Sequence, residues 1–271
     1  MSNLAKRVLV AVFSVPLILL AIRQGGLCLL VFVDLVIVCG IQELFQLQKA
    51  KGWRPQRVWG TLAALAISWE FFFWGTEHID FILVGVILLV LFPELWRRDS
   101  GSALANAGST LLAVFYVGCL SSFLLLLRAA PSQADSGNLA ILVLLSIWGT
   151  DTVAYFVGRG FGRHKLFGQI SPRKSIEGSL GGIAGALVVV FAGSQTILPL
   201  LSTVNALVLG FIIAIGSQLG DLIESLFKRD AGVKDSSRII PGHGGVLDRF
   251  DSVFCALPLA YLYLKLAGIL Q

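Results

Sequence analysis

Charge is scarce in this sequence. Only 14% of its 271 residues are Asp, Glu, Lys or Arg, where a water-soluble domain carries about a quarter. That shortage excludes an ordinary soluble globule. Metal-binding and redox side chains are scarce as well, with three histidines and four cysteines. Cys28, Cys39, Cys119 and Cys255 stand singly in apolar runs, without CxxC or Cys/His ligand spacing. This excludes a zinc-ligand set and a disulfide framework and leaves small buried hydrophobes. No G-x-x-x-x-G-K-[ST] phosphate loop occurs. Gly158, Gly160 and Gly162 lack the dinucleotide spacing after a strand and read as a flexible turn. No basic stripe with interleaved aromatics is present either, so the net charge of +5 does not point to nucleic acid.

What the chain has in abundance is apolar length: 56% of its residues are hydrophobic. Runs long enough to cross a bilayer, about 17–25 residues each, recur at 7–23, 26–42, 58–75, 79–93, 109–128, 139–158, 179–198, 203–225 and 252–270. The expected fold class is therefore all-α, a polytopic integral membrane protein with about nine transmembrane helices. Two divisions are expected: N-terminal helices over 1–130, and a catalytic region over 131–271 with charged loops 159–178 and 226–251. The first run follows a basic start, as in a signal peptide. It is long for one and lacks an A-x-A-like cleavage site, so it reads as a retained helix. With the N-terminus inside, 18 of the 21 Lys and Arg residues fall on the cytoplasmic side, which is the positive-inside pattern. "GSLGGIAG" (178–185) offers small residues at four-residue spacing, a signal for close helix contact in lipid.

Carboxylates inside such runs need a reason, because an Asp near a bilayer centre costs about 3 kcal/mol. Asp34 and Glu70 read as hydrogen-bonding residues between helices. Asp151 shares a face with Tyr155 and Gly158. Asp221, Glu224, Ser225 and Lys228 fall at i, i+3, i+4 and i+7, one helical face, which Ser217 and Gln218 extend into the membrane. That stripe reads as the wall of a wet cavity, although a Glu224–Lys228 ion pair would explain two of its members.

The loops carry the rest. "SPRKSIEG" groups Ser171, Arg173, Lys174 and Ser175 before a helix start, which suits a phosphate as well as ordinary juxtamembrane charge. In "KRDAGVKDSSRIIPGHGGVLDRFD" (228–251), nine of 24 residues are Asp, Lys or Arg. Asp248 and Asp251 stand at i, i+3. Close carboxylate pairs repel by about 4 kcal/mol at an effective dielectric of 20, so Asp221, Asp248 and Asp251 together would need a cation. Hard oxygen ligands suit Mg²⁺ with substrate phosphates. Lys228, Arg229, Lys234, Arg238 and Arg249 stand alongside, and His243 is an acid–base group or a phosphate donor.

This stretch, from Ser225 to Asp251, closely resembles the signature of phosphatidate cytidylyltransferases (CDP-diacylglycerol synthases), S-x-x-K-R-x4-K-D…P-x-H-G-G-x-x-D-R-x-D. "WGTDTVAYFVGRGFGRHKL" and "SPRKSIEG" are similar to two further blocks of that family, with Arg173, Ser175 and Ile176 as mild departures. The resemblance implies a nine-helix, usually dimeric enzyme of the bacterial inner membrane, with its site facing the cytoplasm. It would turn CTP and phosphatidate into CDP-diacylglycerol and pyrophosphate. It implies Mg²⁺, alone or with a second cation, on Asp221 and Asp248, with Asp251 or Asp235 assisting. Lys228, Arg229, Lys234, Arg249, Arg173 and Lys174 would then clamp phosphates, with Ser171, Ser175 and Ser225 beside them. His243, Gly244 and Gly245 would shape the pocket. Two other classes stay open on the residues alone: a transporter of anionic lipid or nucleotide, and a CTP-using prenol kinase.

Overall fold

A computed structural model describes residues 3–97, 100–129, 133–199, 201–237 and 244–270. Helices dominate them: α1 (Asn3–Gln24), α2 (Gly26–Ala50), α3 (Arg57–Phe73), α4 (Ile79–Leu95), α5 (Ala103–Ala113), α6 (Leu120–Arg128), α7 (Gln133–Phe161), α8 (Ile176–Thr196), α9 (Thr203–Asp230) and α10 (Leu247–Leu266). A six-residue π-helical turn, Val114–Cys119, joins α5 to α6 in one rod. Among the described residues five stretches are long and apolar enough to cross a membrane: α2, the α5–α6 rod, 137–161 of α7, α8 and α9. One addition to the all-α expectation is a two-stranded antiparallel hairpin, β1 (Lys165–Phe167) with β2 (Ser171–Ser175).

The chain forms two compact units. The first comprises Met1–Leu126 with Phe227–Arg249, and the second Leu127–Leu226 with Phe250–Gln271.

In the first unit α3 lies against α2, α4 and the π-turn, around a core that includes Ile41, Phe45, Ile67 and Val117. A π-turn releases carbonyls from regular bonding. Ser121 and Ser122 answer it, their hydroxyls donating back to the Val117 and Gly118 carbonyls. Asp34 behaves as expected, accepting from Ser68 Oγ and, at 2.9 Å, from Trp69 Nε1 on the neighbouring helix. Glu70 does not reach another helix core; it accepts the His78 backbone N–H at 2.9 Å and closes the α3–α4 turn. Large apolar side chains such as Phe13, Leu17, Phe81, Phe92 and Trp96 face outward, as a surface bathed in acyl chains demands.

In the second unit α7 and α8 form the most extensive contact. The reason is the glycine row read from the sequence. A Cβ on Gly182 would stand 3.1 Å from the Thr150 carbonyl oxygen, and one on Gly178 2.9 Å from that of Ala154. The turn expected at Gly158–Gly162 is instead helix as far as Phe161. Gly158 faces Gly178 across this contact, so its small size serves helix contact. All four cysteines are free; Cys28 is exposed and Cys39, Cys119 and Cys255 are half-buried, so none is buried as expected.

Candidate active site

The signature segment begins where α9 stops. Gly232, at φ +71°, takes the left-handed position that glycine adopts most readily. Val233 N–H bonds the Lys228 carbonyl at 2.9 Å and Gly232 N–H bonds that of Arg229 at 3.0 Å, a Schellman ending. Lys228 and Arg229 in this last turn suit the negative helix end. Arg229 donates to the Val233 carbonyl at 3.2 Å. Lys234 and Asp235 beyond it are exposed.

Lys228 turns to Asp248, its Nζ 2.6 Å from Oδ1. The other carboxylate oxygen, Oδ2, accepts from Ser236 N–H at 2.9 Å, Ser236 Oγ at 2.7 Å and Gly245 N–H at 2.8 Å. Asp248 sits in the first turn of α10 and reaches back to Gly245 much as a capping-box acid does. Gly244, at φ +83°, leaves room for it: a Cβ there would stand 2.6 Å from Oδ2. Burial pushes the Asp248 carboxyl up, but Lys228, the Gly245 N–H and the Ser236 hydroxyl outweigh it and hold the group below the usual carboxylate value. Arg249 beside it is exposed.

Behind this arrangement lies a group that the sequence reading passed over. Glu43 on α2 is fully buried, and donors converge on both its oxygens. Oε1 accepts from Ser237 Oγ at 2.6 Å and Val246 N–H at 3.0 Å; Oε2 accepts from Ser236 Oγ at 3.0 Å and Leu247 N–H at 2.8 Å. The two N–H groups open α10, where a carboxylate answers unsatisfied donors and the positive helix end.

The second unit holds the other expected residues. Lys174 Nζ lies 2.7 Å from Asp221 Oδ2, an ion pair without hydrogen-bond alignment. Ser225 Oγ reaches Asp221 Oδ1 at 3.3 Å. Gln218 is engaged with Ser179 on α8, so part of the polar stripe joins helices rather than lining a wet wall. Ser175 caps α8, accepting Gly178 N–H at 3.1 Å, and Glu177 holds the preceding turn through the backbone N–H groups of Arg163 and His164. Ser171 is half-buried and Arg173 exposed. Gly216 and Gly220 bring α9 onto α10 at Ala256 and Asp251; Asp251 itself accepts Ser252 N–H at 2.7 Å. Asp151 accepts the Ser252 hydroxyl at 3.5 Å. Arg238 and His243 lie outside the described residues. Among the described residues no three His, Cys, Asp or Glu side chains are grouped to hold a metal ion. Asp221 and Asp248 are each matched with a lysine.

The family model described as "Cytidylyltransferase family" matches residues 5–267. The chain belongs to this family. Its members include relatives named phosphatidate cytidylyltransferase. One from Synechocystis sp. is 35% identical over 96% of this chain and 96% of its own length. One from Staphylococcus saprophyticus is 33% identical over 95% and 98%. One from Bacillus subtilis is 32% identical over 98% and 99%. The family makes the chain a nucleotidyltransferase, and the Lys228–Asp248 contact falls inside the segment that carried the resemblance.

Proposed function

We propose that this chain is a phosphatidate cytidylyltransferase, converting CTP and phosphatidate into CDP-diacylglycerol and pyrophosphate for phospholipid biosynthesis. The observation that carries the proposal is the Asp248 constellation. In this member of the cytidylyltransferase family, the Lys228 ammonium, the Ser236 hydroxyl and the Gly245 N–H converge on the one Asp248 carboxylate.

A phosphate oxygen of phosphatidate forms a bond to the α-phosphorus of CTP, and the bond from that phosphorus to the bridging oxygen of pyrophosphate breaks. The attacking monoester is already an anion, so little base chemistry is needed; positioning and charge neutralisation dominate. Lys228 and Lys174, with the exposed Arg173, Arg229, Lys234 and Arg249, supply cations for the triphosphate and the leaving pyrophosphate. Ser171, Ser225 and the Gly244–Gly245 backbone add donors.

The donor chemistry fits Mg²⁺. Three donors hold Oδ2 of Asp248, whereas Oδ1 is matched by an exchangeable ammonium, and Asp221 Oδ2 is matched likewise. Asp248 and Asp221 are the carboxylates that would hold Mg²⁺, with Asp251 assisting. When bound, the ion neutralises phosphate oxygens as a Lewis acid.

The enzyme crosses a bacterial inner membrane nine times, with its N-terminus and site on the cytoplasmic side, and works as a homodimer. Support for the topology comes from the first unit. Lys51 pairs with Asp230 at 2.8 Å, Arg54 N–H bonds Asn106 at 2.7 Å, and Arg97 bonds the Arg54 carbonyl at 2.6 Å. The basic ends of α2, α4 and α9 therefore share one end of that unit.

The test is incubation of purified protein with base-labelled CTP, phosphatidate and Mg²⁺. Label entering the lipid phase upholds the proposal. Label leaving as CDP would indicate a kinase, and no turnover would overturn the transfer reading.

A further inference from the structure

We infer that Glu43 is a positioning residue for the cytidylyl-transfer reaction, setting the glycine turn that presents Asp248. The inference deepens the proposed function and rests on it. Glu43 makes no hydrogen bond to a residue assigned to phosphate; it acts through Ser236, Ser237 and the start of α10.

The geometry carries this in three steps. First, a carboxylate is acceptor-only, and all four partners of Glu43 are donors, two on each oxygen. An amide of the same shape would set its NH₂ against two of them. Second, Ser236 links Glu43 to Asp248. Its single hydroxyl proton lies within reach of Glu43 Oε2 and Asp248 Oδ2, and its backbone N–H also serves Asp248. A shift of Ser236 therefore moves both groups. Third, the fit has no slack. A Cβ on Gly245 would collide with Glu43 Oε2 and Ser236 Oγ, and that glycine's N–H is another Asp248 donor. Residues from positions 43, 236–237 and 245–248 thus meet through one buried acid, all within the first unit.

Burial of a carboxylate with full acceptor satisfaction is also a way to stabilise a fold, so the test must separate the two roles. Full-length Glu43→Gln and Ser237→Ala are purified beside the wild type. Base-labelled CTP incorporation into lipid is then measured against Mg²⁺, CTP and phosphatidate, with thermal unfolding followed in the same detergent. A positioning role predicts that folded Glu43→Gln loses about 100-fold in kcat/KM for CTP, the size expected of a misplacement of about 1 Å. Its Mg²⁺ activation midpoint rises while the KM for phosphatidate stays put. Ser237→Ala shifts the same two parameters in the same direction, by less. A purely structural role lowers the active fraction and leaves every midpoint unchanged.

Folded Glu43→Gln within about twofold of wild type, or slowed with unchanged midpoints, overturns the inference. If Glu43→Gln does not fold, Ser237→Ala decides: shifted midpoints support it and unshifted midpoints overturn it. An inactive wild type would instead refute the transfer reaction, before either variant is measured.

Discussion

Replacing Asp248 by Asn removes one oxygen and almost no volume. The amide oxygen can take the place of Oδ2 and keep the Ser236 and Gly245 donors, which leaves NH₂ facing the Lys228 ammonium. The pair is nearly buried, the Lys228 side chain 11% and that of Asp248 7% exposed. Breaking one partner out of such a pair costs about 3 kcal/mol, so Asp248→Asn unfolds at a lower temperature. Lys228→Met in the same chain removes the buried cation that has lost the Asp248 charge, and with it the larger part of that cost. The double variant therefore regains most of the lost stability. Turnover does not follow: both variants stay about 100- to 1000-fold slow, the usual loss when a preorganised charge is removed from a reaction centre. The assays are thermal unfolding in detergent and transfer of base label from CTP to lipid. Near-normal turnover in Asp248→Asn, or turnover recovered together with stability in the double variant, would refute a role for Asp248 in the chemistry.

Because the folded Asp248 carboxyl is held below its ordinary value, its contribution to stability is present above about pH 4, the unfolded Asp range, and is lost as pH falls through the lower folded value. The unfolding midpoint of wild type should therefore fall more steeply below about pH 4 than that of Asp248→Asn; parallel curves would contradict the assignment. On α8, Gly182→Leu forces a side chain into Thr150 and Ala154. It should cost about 1–3 kcal/mol by overpacking, read as a lowered unfolding midpoint, while Leu180→Ala on the exposed face should change it little.

Legibility from sequence followed the strength of the local signal. Apolar runs located each long helix, because a bilayer leaves no other use for such lengths, and the glycines of α8 announced their helix contact. Boundaries were less readable. Gly158 and Gly160 look like a turn in a list of residues, yet α7 continues through them, and Gly158 is the small neighbour against which Gly178 packs. The same uncertainty hid Glu43. With the second run ended at residue 42, this acid fell just outside the membrane-buried set, although α2 continues to Ala50. Its partners lie 193 to 204 positions away in sequence, and no spacing rule connects them. Lys228 and Lys174 were visible as cations, but that each would neutralise one particular carboxylate depended on tertiary contacts.

The wide turn at Val114–Cys119 acts as a phase shifter. One extra residue there turns everything beyond it by about 100° relative to a regular helix, so the upper and lower stretches of a single rod present unrelated stripes to their surroundings. Deleting one residue would give a better-bonded helix and a worse protein, with Leu124, Leu125 and Leu127 swung out of register with the neighbours that bury them.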